Sequence, residues 1–328
     1  MFDIITVGSA TVDVFVYTDK SDLITLKSEK ESKEFIAYPS GTKILIKNLI
    51  FSTGGGGTNT AVSFARLGLK TGYFGCMGKD QNAKIILDEL KKEGIAFLGQ
   101  QINEKTDYSV ILDSIEHDRT ILNYKGASTK IKFGRMKQAQ LKQAKWVYCS
   151  SMVGDAFQTL EKLSEFCKKN KVKLAFNPSS YLAERGAKYL SKVLKNSTAL
   201  IMNLEEAKDI TQKDNVRNML TELRDYGPDY AIITDGKRGV YADCLGQRLF
   251  VQPHKVKVVE STGAGDAFAS TFVAGLAYNK DVKTALQWGV ANAESVLSSF
   301  GAKNDLLTLK RLKSNIKRSP YRVSKLKL

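Results

Sequence analysis

The sequence predicts an α/β fold: a doubly wound, mainly parallel sheet flanked by helices, with a small β-sheet lid. Three observations predict it. Short β-branched or aromatic runs alternate with segments of helical apolar period, two helix-poor stretches interrupt that alternation, and the chain turns helical after Gly263. The 328 residues, 43% of them hydrophobic, suffice to bury a large core, which excludes a disordered or fibrous chain.

In chain order, the apolar start carries Asp3 and no Lys or Arg through Val16, so it lacks the basic region of a secretory signal and reads as a first strand over 3–7. Further strand-like runs fall at 71–74, 146–149, 173–176, 199–202 and 230–234. Apolar spacing predicts helices over 59–67, 82–93, 156–169, 186–194 and 215–226. Strand and helix in repeated alternation feed a parallel sheet covered on both faces. Residues 12–51 and 95–124 break the rhythm with strand-like runs at 43–51, 108–112 and 119–124, and form the expected lid. The body is then 1–11, 52–94 and 125–309. A strand-like run at 256–259 precedes Gly263, and helices are expected over 266–278, 281–299 and 306–316. Residues 310–328 hold eight basic residues and no acid, the composition of a solvated or frayed tail.

No stretch of about 18 uncharged apolar residues occurs, so no membrane partner is expected and the location implied is the cytoplasm. Cys76, Cys149, Cys167 and Cys244 are far apart and form no CxxC pair, which argues against a zinc site or a disulfide framework. His117 and His254 are isolated, which opposes a histidine metal site or a Ser/His/Asp triad. Fifty Lys and Arg against 34 Asp and Glu give a net charge of +16, suited to nucleic acid, an acidic surface or a small polyanion. The lysines are scattered over expected helix faces, where solvation explains them; a nucleic-acid footprint would cluster on one face.

Two segments carry chemistry. In Ser261-Thr262-Gly263-Ala264-Gly265-Asp266, two glycines let backbone approach a ligand, and the helix that follows aims free N–H groups at an anion. Asp266, in the first turn, would face the anion and could take a proton from an attacking hydroxyl; taken alone it is equally a residue that favours a helix N-terminus. In Gly54-Gly55-Gly56-Gly57-Thr58-Asn59, four glycines open a helix at an entropic cost that a close ligand contact or a plain tight turn could explain. No Lys-Ser/Thr follows, so the run is not a Walker A loop.

Together these segments resemble the two signatures of the ribokinase-like (PfkB) family of carbohydrate kinases. Further matches follow in family order: Gly8-Ser9 with Asp13, Arg66-Leu67-Gly68, Gly78-Lys79-Asp80, Asn203-Leu204-Glu205-Glu206, Thr234-Asp235-Gly236 with Gly239, Asn292 and Gly301-Ala302. The resemblance covers about residues 1 to 305. It implies a ribokinase-like fold and phosphoryl transfer from ATP, with Mg²⁺, to a hydroxyl of a sugar or sugar-like molecule. It implies Asp266 as general base and Gly263, Ala264 and Gly265 as an anion hole. Asn203 and Glu206 would organise Mg²⁺, Thr234 and Gly236 would hold nucleotide phosphates, and Asn292 would lie beside the nucleoside. Asp13, Gly55, Gly57 and Asn59 would bind acceptor hydroxyls, since a carboxylate and an amide can each engage a diol. A local reading stays open for two of these: Asn203 and Glu206 as a helix cap, and Asp13 as a strand-end turn residue.

Glu260 stands where the family usually has Asp beside a K⁺ loop, so K⁺ is the one cofactor the resemblance implies and this residue argues against. Gly56 replaces the Lys of ribokinases themselves, and Ala83 a common Gly, so the chain fits the wider family better than a true ribokinase. The acceptor could be a free sugar, a nucleoside or a sugar phosphate; Lys43, Arg119 and Lys125 favour an anionic one. The partners implied are the acceptor, ATP and a second copy docked through the lid. A non-catalytic sensor is opposed by the intact Asp266 and its glycines. A nucleic-acid binder working through 310–328 would show steep salt dependence and survive loss of Asp266.

Overall fold

The computed structural model describes residues 1–27, 32–113 and 119–326, and of residues 32, 33, 113 and 119 the backbone only. His117, the Arg119 side chain, residues 28–31 and 114–118 of the two expected lid stretches, and residues 327–328 of the expected tail lie outside the described residues.

The chain opens with β1 (Ile4–Val7), departs through β2 (Thr11–Tyr17), makes a hairpin of β3 (Asp22–Lys27) and β4 (Ser32–Ala37), and returns along β5 (Asn48–Gly54). Helix α1 (Gly56–Arg66) leads to β6 (Thr71–Phe74), the short β7 (Cys76–Met77), α2 (Gln81–Lys92), β8 (Ala96–Phe97) and β9 (Gln100–Gln101). A second excursion, β10 (Asp107–Asp113) and β11 (Arg119–Tyr124), ends before α3 (Gln138–Gln143). Then come β12 (Trp146–Cys149), α4 (Ala156–Lys169), β13 (Lys173–Phe176), α5 (Ser179–Ala183), α6 (Gly186–Asn196), β14 (Ala199–Asn203), α7 (Leu204–Thr211), α8 (Val216–Asp225) and β15 (Tyr230–Thr234). The last part holds β16 (Val240–Cys244), β17 (Gln247–Val251), α9 (Ala264–Ala277), α10 (Val282–Leu297), α11 (Leu309–Arg318) and β18 (Val323–Lys325).

Ten strands make one sheet in the order β18-β17-β16-β15-β14-β13-β12-β1-β6-β8. Pairing is parallel from β15 through β8 and antiparallel from β15 to β18. Side chains alternate across the parallel strands, so each strand feeds two cores. Ile5, Val147, Leu174 and Met202 pack with α4, α6, α7 and α8; Ile4, Trp146, Tyr148, Ile201 and Ile232 pack with α9 and α10. Full burial of each such side chain stabilises the fold by about 1.5–3 kcal/mol. The four cysteines are buried and free. A separate sheet, in the order β11-β10-β2-β5, pairs β2 with β5 antiparallel and with β10 parallel. Among the described residues no helix is long and apolar enough to cross a membrane.

Two expectations need correction. Residues 256–259 are not a strand: they are a partly exposed loop whose Val259 N–H donates to the Leu297 carbonyl at the end of α10, 2.8 Å away, so no sheet edge supplies their partners. Residues 310–326 are not a frayed tail. Helix α11 is capped by Thr308, buries Leu312, and turns Leu309 and Ile316 to the same core. Beyond it Val323 pairs with Val251, so β18 completes the sheet edge, while the basic residues occupy the outer faces.

Candidate active site

The parallel strands end on one edge of the large sheet, and polar residues leave them there: Gly8-Ser9 after β1, Ser150-Ser151 after β12, Asn177 after β13, Asn203 at the end of β14 and Thr234 at the end of β15. The carboxyl ends of parallel strands form the crevice in which a doubly wound sheet binds ligands. The four-stranded sheet stands over this crevice. A cavity of about 240 Å³ lies between them, walled by Asp13, Ser109, Ile121 and Lys125 on one side and by Gly56, Asn59, Ser150 and Asp266 on the other.

The glycine run sets the first wall. Gly55 caps α1 at φ 96°, where a Cβ would lie 2.6 Å from the Ser9 carbonyl oxygen, so only glycine fits without strain. Thr58 and Thr60 turn their hydroxyls back to the Gly54 and Gly56 carbonyls, each at 2.6 Å, which fixes the first turn. Asn59 then points its amide across to α9, where Nδ2 donates to Asp266 Oδ2 at 2.9 Å. Its Oδ1 is buried with no partner among the described residues. Two further wall atoms share that state: Ser151 Oγ, and Ser179 Oγ on a backbone held at φ 53°.

The second wall is the start of α9. Gly263 caps it at φ 83°, and a Cβ there would meet the Ala302 Cα at 2.6 Å. Glu260 Oε1 accepts from the Ser261 and Thr262 N–H groups and the Thr262 hydroxyl at 2.8–2.9 Å, which folds the approach to the helix. The first-turn N–H groups of an α-helix have no intrahelical acceptor, so the turn through Ala264 and Gly265 can take an anion. Burial pushes the Asp266 carboxyl above the usual carboxylate range, against the Asn59 hydrogen bond and the charge of Lys303. Asp13 is raised for the same reason; Ser109, Lys303, Lys125 and Thr11 oppose the rise. Burial raises the proton affinity of such a carboxyl, which suits it to accept a proton.

Asn203 and Thr234 are register partners on β14 and β15. Asn203 and Glu206 form a reciprocal capping box, Asn203 Oδ1 accepting from the Glu206 N–H at 2.8 Å and Glu206 Oε2 from the Asn203 N–H at 2.9 Å. The helix-cap reading of this pair is therefore present in the structure. Burial raises the Glu206 carboxyl, the hydrogen bond from the Asn203 N–H opposes the rise, and the Asp266 and Asp209 charges add to it; among the described residues no group of three or more His, Cys, Asp or Glu side chains is placed to hold a metal ion. Gly236 is exposed at φ 49°, with open space where a Cβ would stand.

The structure thus brings Asp13, Gly55, Asn59, Gly263 and Asp266 to one cavity, and sets Asn203, Glu206, Thr234 and Gly236 farther along the same strand edge. Gly57 does not face the cavity: it is buried, and a Cβ on it would meet the Gly8 carbonyl carbon and the Tyr73 ring, both at 2.8 Å. The residue that does is Gly56, whose Cβ would stand 2.7 Å from Ser150 Cβ and 3.5 Å from Asp266 Oδ1. Asn292 does not line the cavity either. It is fully buried, donating to Thr271 Oγ1 at 2.6 Å and Ser63 Oγ at 3.4 Å and accepting from the Leu307 N–H at 2.8 Å, so it ties α10 to α9 and α1. Of the expected cations, Lys43 is exposed away from the cavity and Lys125 lines it. Ser150 and Lys303 carried no signal in the sequence, since their partners are remote in the chain.

The profile of the pfkB family of carbohydrate kinases matches residues 1–309. The 5-dehydro-2-deoxygluconokinase of Bacillus subtilis (strain 168) is 25% identical over 332 residues, 96% of this chain and 96% of that protein. Among solved structures, Arabidopsis thaliana ribokinase complexed with ribose and ATP superposes with a TM-score of 0.80 at 20% identity, over 96% of this chain and 99% of that one. A structure from E. coli with ATP and Mg²⁺ also superposes at 0.80, with 18% identity over 97% of this chain and 100% of that one.

Proposed function

The chain belongs to the pfkB family and is a carbohydrate kinase, and we propose that it transfers the γ-phosphoryl group of ATP to a hydroxyl of an acceptor held between Asp13 and Asp266. One observation carries this reading: the Asn59–Asp266 hydrogen bond joins the glycine run to the start of α9 in one wall of a cavity large enough for a single sugar-sized molecule, with Asp13 on the opposite wall. Asp266 takes the proton from the attacking hydroxyl, and the N–H groups of Gly263, Ala264 and Gly265 stabilise charge on the transferred group. Asp13, Gly55, Gly56 and Asn59 orient the acceptor. Thr234 and Gly236 hold the nucleotide phosphates. Asn203 and Glu206 would hold Mg²⁺, which when bound neutralises charge on those phosphates. Glu260 Oε1 already accepts three hydrogen bonds, and we expect exchange of K⁺ for Na⁺ to change the rate by less than about twofold.

A negatively charged acceptor is the second reading, favoured by Lys125 on the cavity wall and by the sugar acid in the name of the Bacillus relative. A homodimer through the small sheet is supported by its far face, where Leu49, Phe51, Leu122 and Tyr124 are exposed together. The test is an ADP-release screen over pentoses, hexoses, sugar acids, nucleosides and sugar phosphates. Turnover of a nucleoside alone, or of none, would overturn the reading.

A further inference from the structure

Lys303 is only 3% exposed, yet it lines no part of the cavity. Its Nζ donates to Glu89 Oε2 of α2 at 2.6 Å and to Thr53 Oγ1 of β5 at 3.0 Å. Its carbonyl accepts from Arg66 Nη1 of α1 at 2.6 Å, and Arg66 pairs with Glu93. The two residues before it reach the other way: Ala302 lies directly beneath Gly263, and Gly301, at φ 84°, passes so close to Ser52 of β5 that a Cβ would stand 2.9 Å from its Oγ. Ser52 and Thr53 are the register partners of Asp13 and Val12. Residues 301–303 are thus wedged between the strand beside the acceptor carboxylate and the glycine that starts the anion hole.

We propose that Lys303 is a positioning residue for phosphoryl transfer, clamping β5 to the start of α9 through residues 301–303. The inference rests on the roles given above to Asp13 and Asp266. Burying an ammonium is costly unless it is paired, so a lysine with two fixed acceptors here holds its neighbours in one arrangement. Its charge also reaches the cavity from behind. Asp13 is faced by Lys303 and Lys125; Asp266 is faced by Lys303 and shares its surroundings with Glu206; Lys303 itself is faced by Glu89, Asp13 and Arg66. An acceptor hydroxyl and the anion hole must keep a fixed separation for in-line attack, and an error near 1 Å costs about 10²-fold in rate.

The test compares Lys303→Met with Glu89→Gln/Lys303→Met, because the double variant leaves no unpaired charge and keeps the side-chain volumes. In the double variant, amide exchange should accelerate about tenfold or more in both Asn48–Gly54 and 261–265, with β10 and β12 unchanged. With the fastest acceptor of the ADP-release screen, acceptor KM should rise about tenfold while the ATP Kd stays put. The acid limb of kcat/KM should move to higher pH. A merely structural lysine predicts wild-type kinetics and an unmoved limb once the double variant folds. That result, or faster exchange in only one of the two segments, overturns the proposal. Asp13→Asn and Asp266→Asn, assayed alongside, test the underlying reading separately: near-normal turnover by both removes it and the clamp with it.

Discussion

Gly56 and Gly57 are neighbours with opposite surroundings, and substituting each by alanine separates site from scaffold. On Gly57 a methyl group meets the Gly8 backbone, the Tyr73 ring and the Ser9 carbonyl oxygen, all within 2.8–2.9 Å, so the chain must shift. Overpacking of this kind costs about 1–3 kcal/mol. With an unfolding entropy of about 2.1 cal/mol/K per residue, 328 residues move Tm by about 1.5 °C per kcal/mol, so Gly57→Ala should lower Tm by about 2–4 °C. On Gly56 the methyl group presses only on the Ser150 side chain, which can give way more readily than the Gly8 and Ser9 backbone that Gly57 meets, and it points toward Asp266. Gly56→Ala should therefore melt within about 1–2 °C of wild type and lose about 10²-fold in acceptor kcat/KM, since it displaces the groups that must align. Differential scanning fluorimetry and coupled ADP release measure both. A Gly57→Ala enzyme with normal Tm and poor acceptor kinetics, beside an active Gly56→Ala enzyme, would refute the assignment of the two faces.

Asp266→Asn should bind ATP normally and lower kcat by about 10²–10⁴-fold; near-normal turnover removes the base from Asp266. Burial raises the Asp13, Glu206 and Asp266 carboxyls, so the folded state binds protons more tightly than the unfolded chain. Their cost to stability is absent below the ordinary carboxylate range and complete above the raised values, so stability falls as pH rises through that window. Asp266→Asn should accordingly melt no lower than wild type at pH 8, and a lower Tm there would contradict the sign. If the small sheet closes over the acceptor, amides of β5, β10 and β11 should gain protection with acceptor bound, read by hydrogen exchange, and equal exchange in both states rules closure out. Leu312→Ala, in a helix that packs on α10, should cost about 2–5 kcal/mol by denaturant melting; a change below about 0.5 kcal/mol would return 310–326 to the status of a loose tail.

Much of the body was legible because its parallel strands are buried on both faces over most of their length. The runs 71–74, 146–149, 173–176 and 230–234 coincide with β6, β12, β13 and β15, and α4 spans its predicted residues. The two glycine segments were legible because φ values near +90° and close backbone contacts leave glycine no substitute. What failed was whatever depends on distant partners. Val256, Val258 and Val259 have strand composition but no free edge to pair with. The helix expected over 306–316 is present as α11, but its basic residues suggested a solvated end and concealed that Leu309, Leu312 and Ile316 dock on the core. Asn292 looks the same from the sequence whether it faces a ligand or the Leu307 N–H, and Lys303 finds Thr53 and Glu89 across 250 and 214 residues. Gly57 was misassigned because adjacent glycines in a helix turn point to different sides, and the sequence does not say which side is open.

The cavity-wall oxygens that have no partner among the described residues, on Asn59, Ser151 and Ser179, offer a route to the acceptor that needs no turnover. Each is a polar atom held away from bulk solvent, so a molecule whose hydroxyls satisfy them gains on entering, with or without nucleotide. A ligand present at 100 times its Kd stabilises the fold by about 2.7 kcal/mol, which by the same entropy raises the melting point by about 4 °C. Melting curves recorded against a collection of sugars, sugar acids and nucleosides would then single out the acceptor by heat resistance alone, even in an Asp266→Asn protein with its expected low turnover.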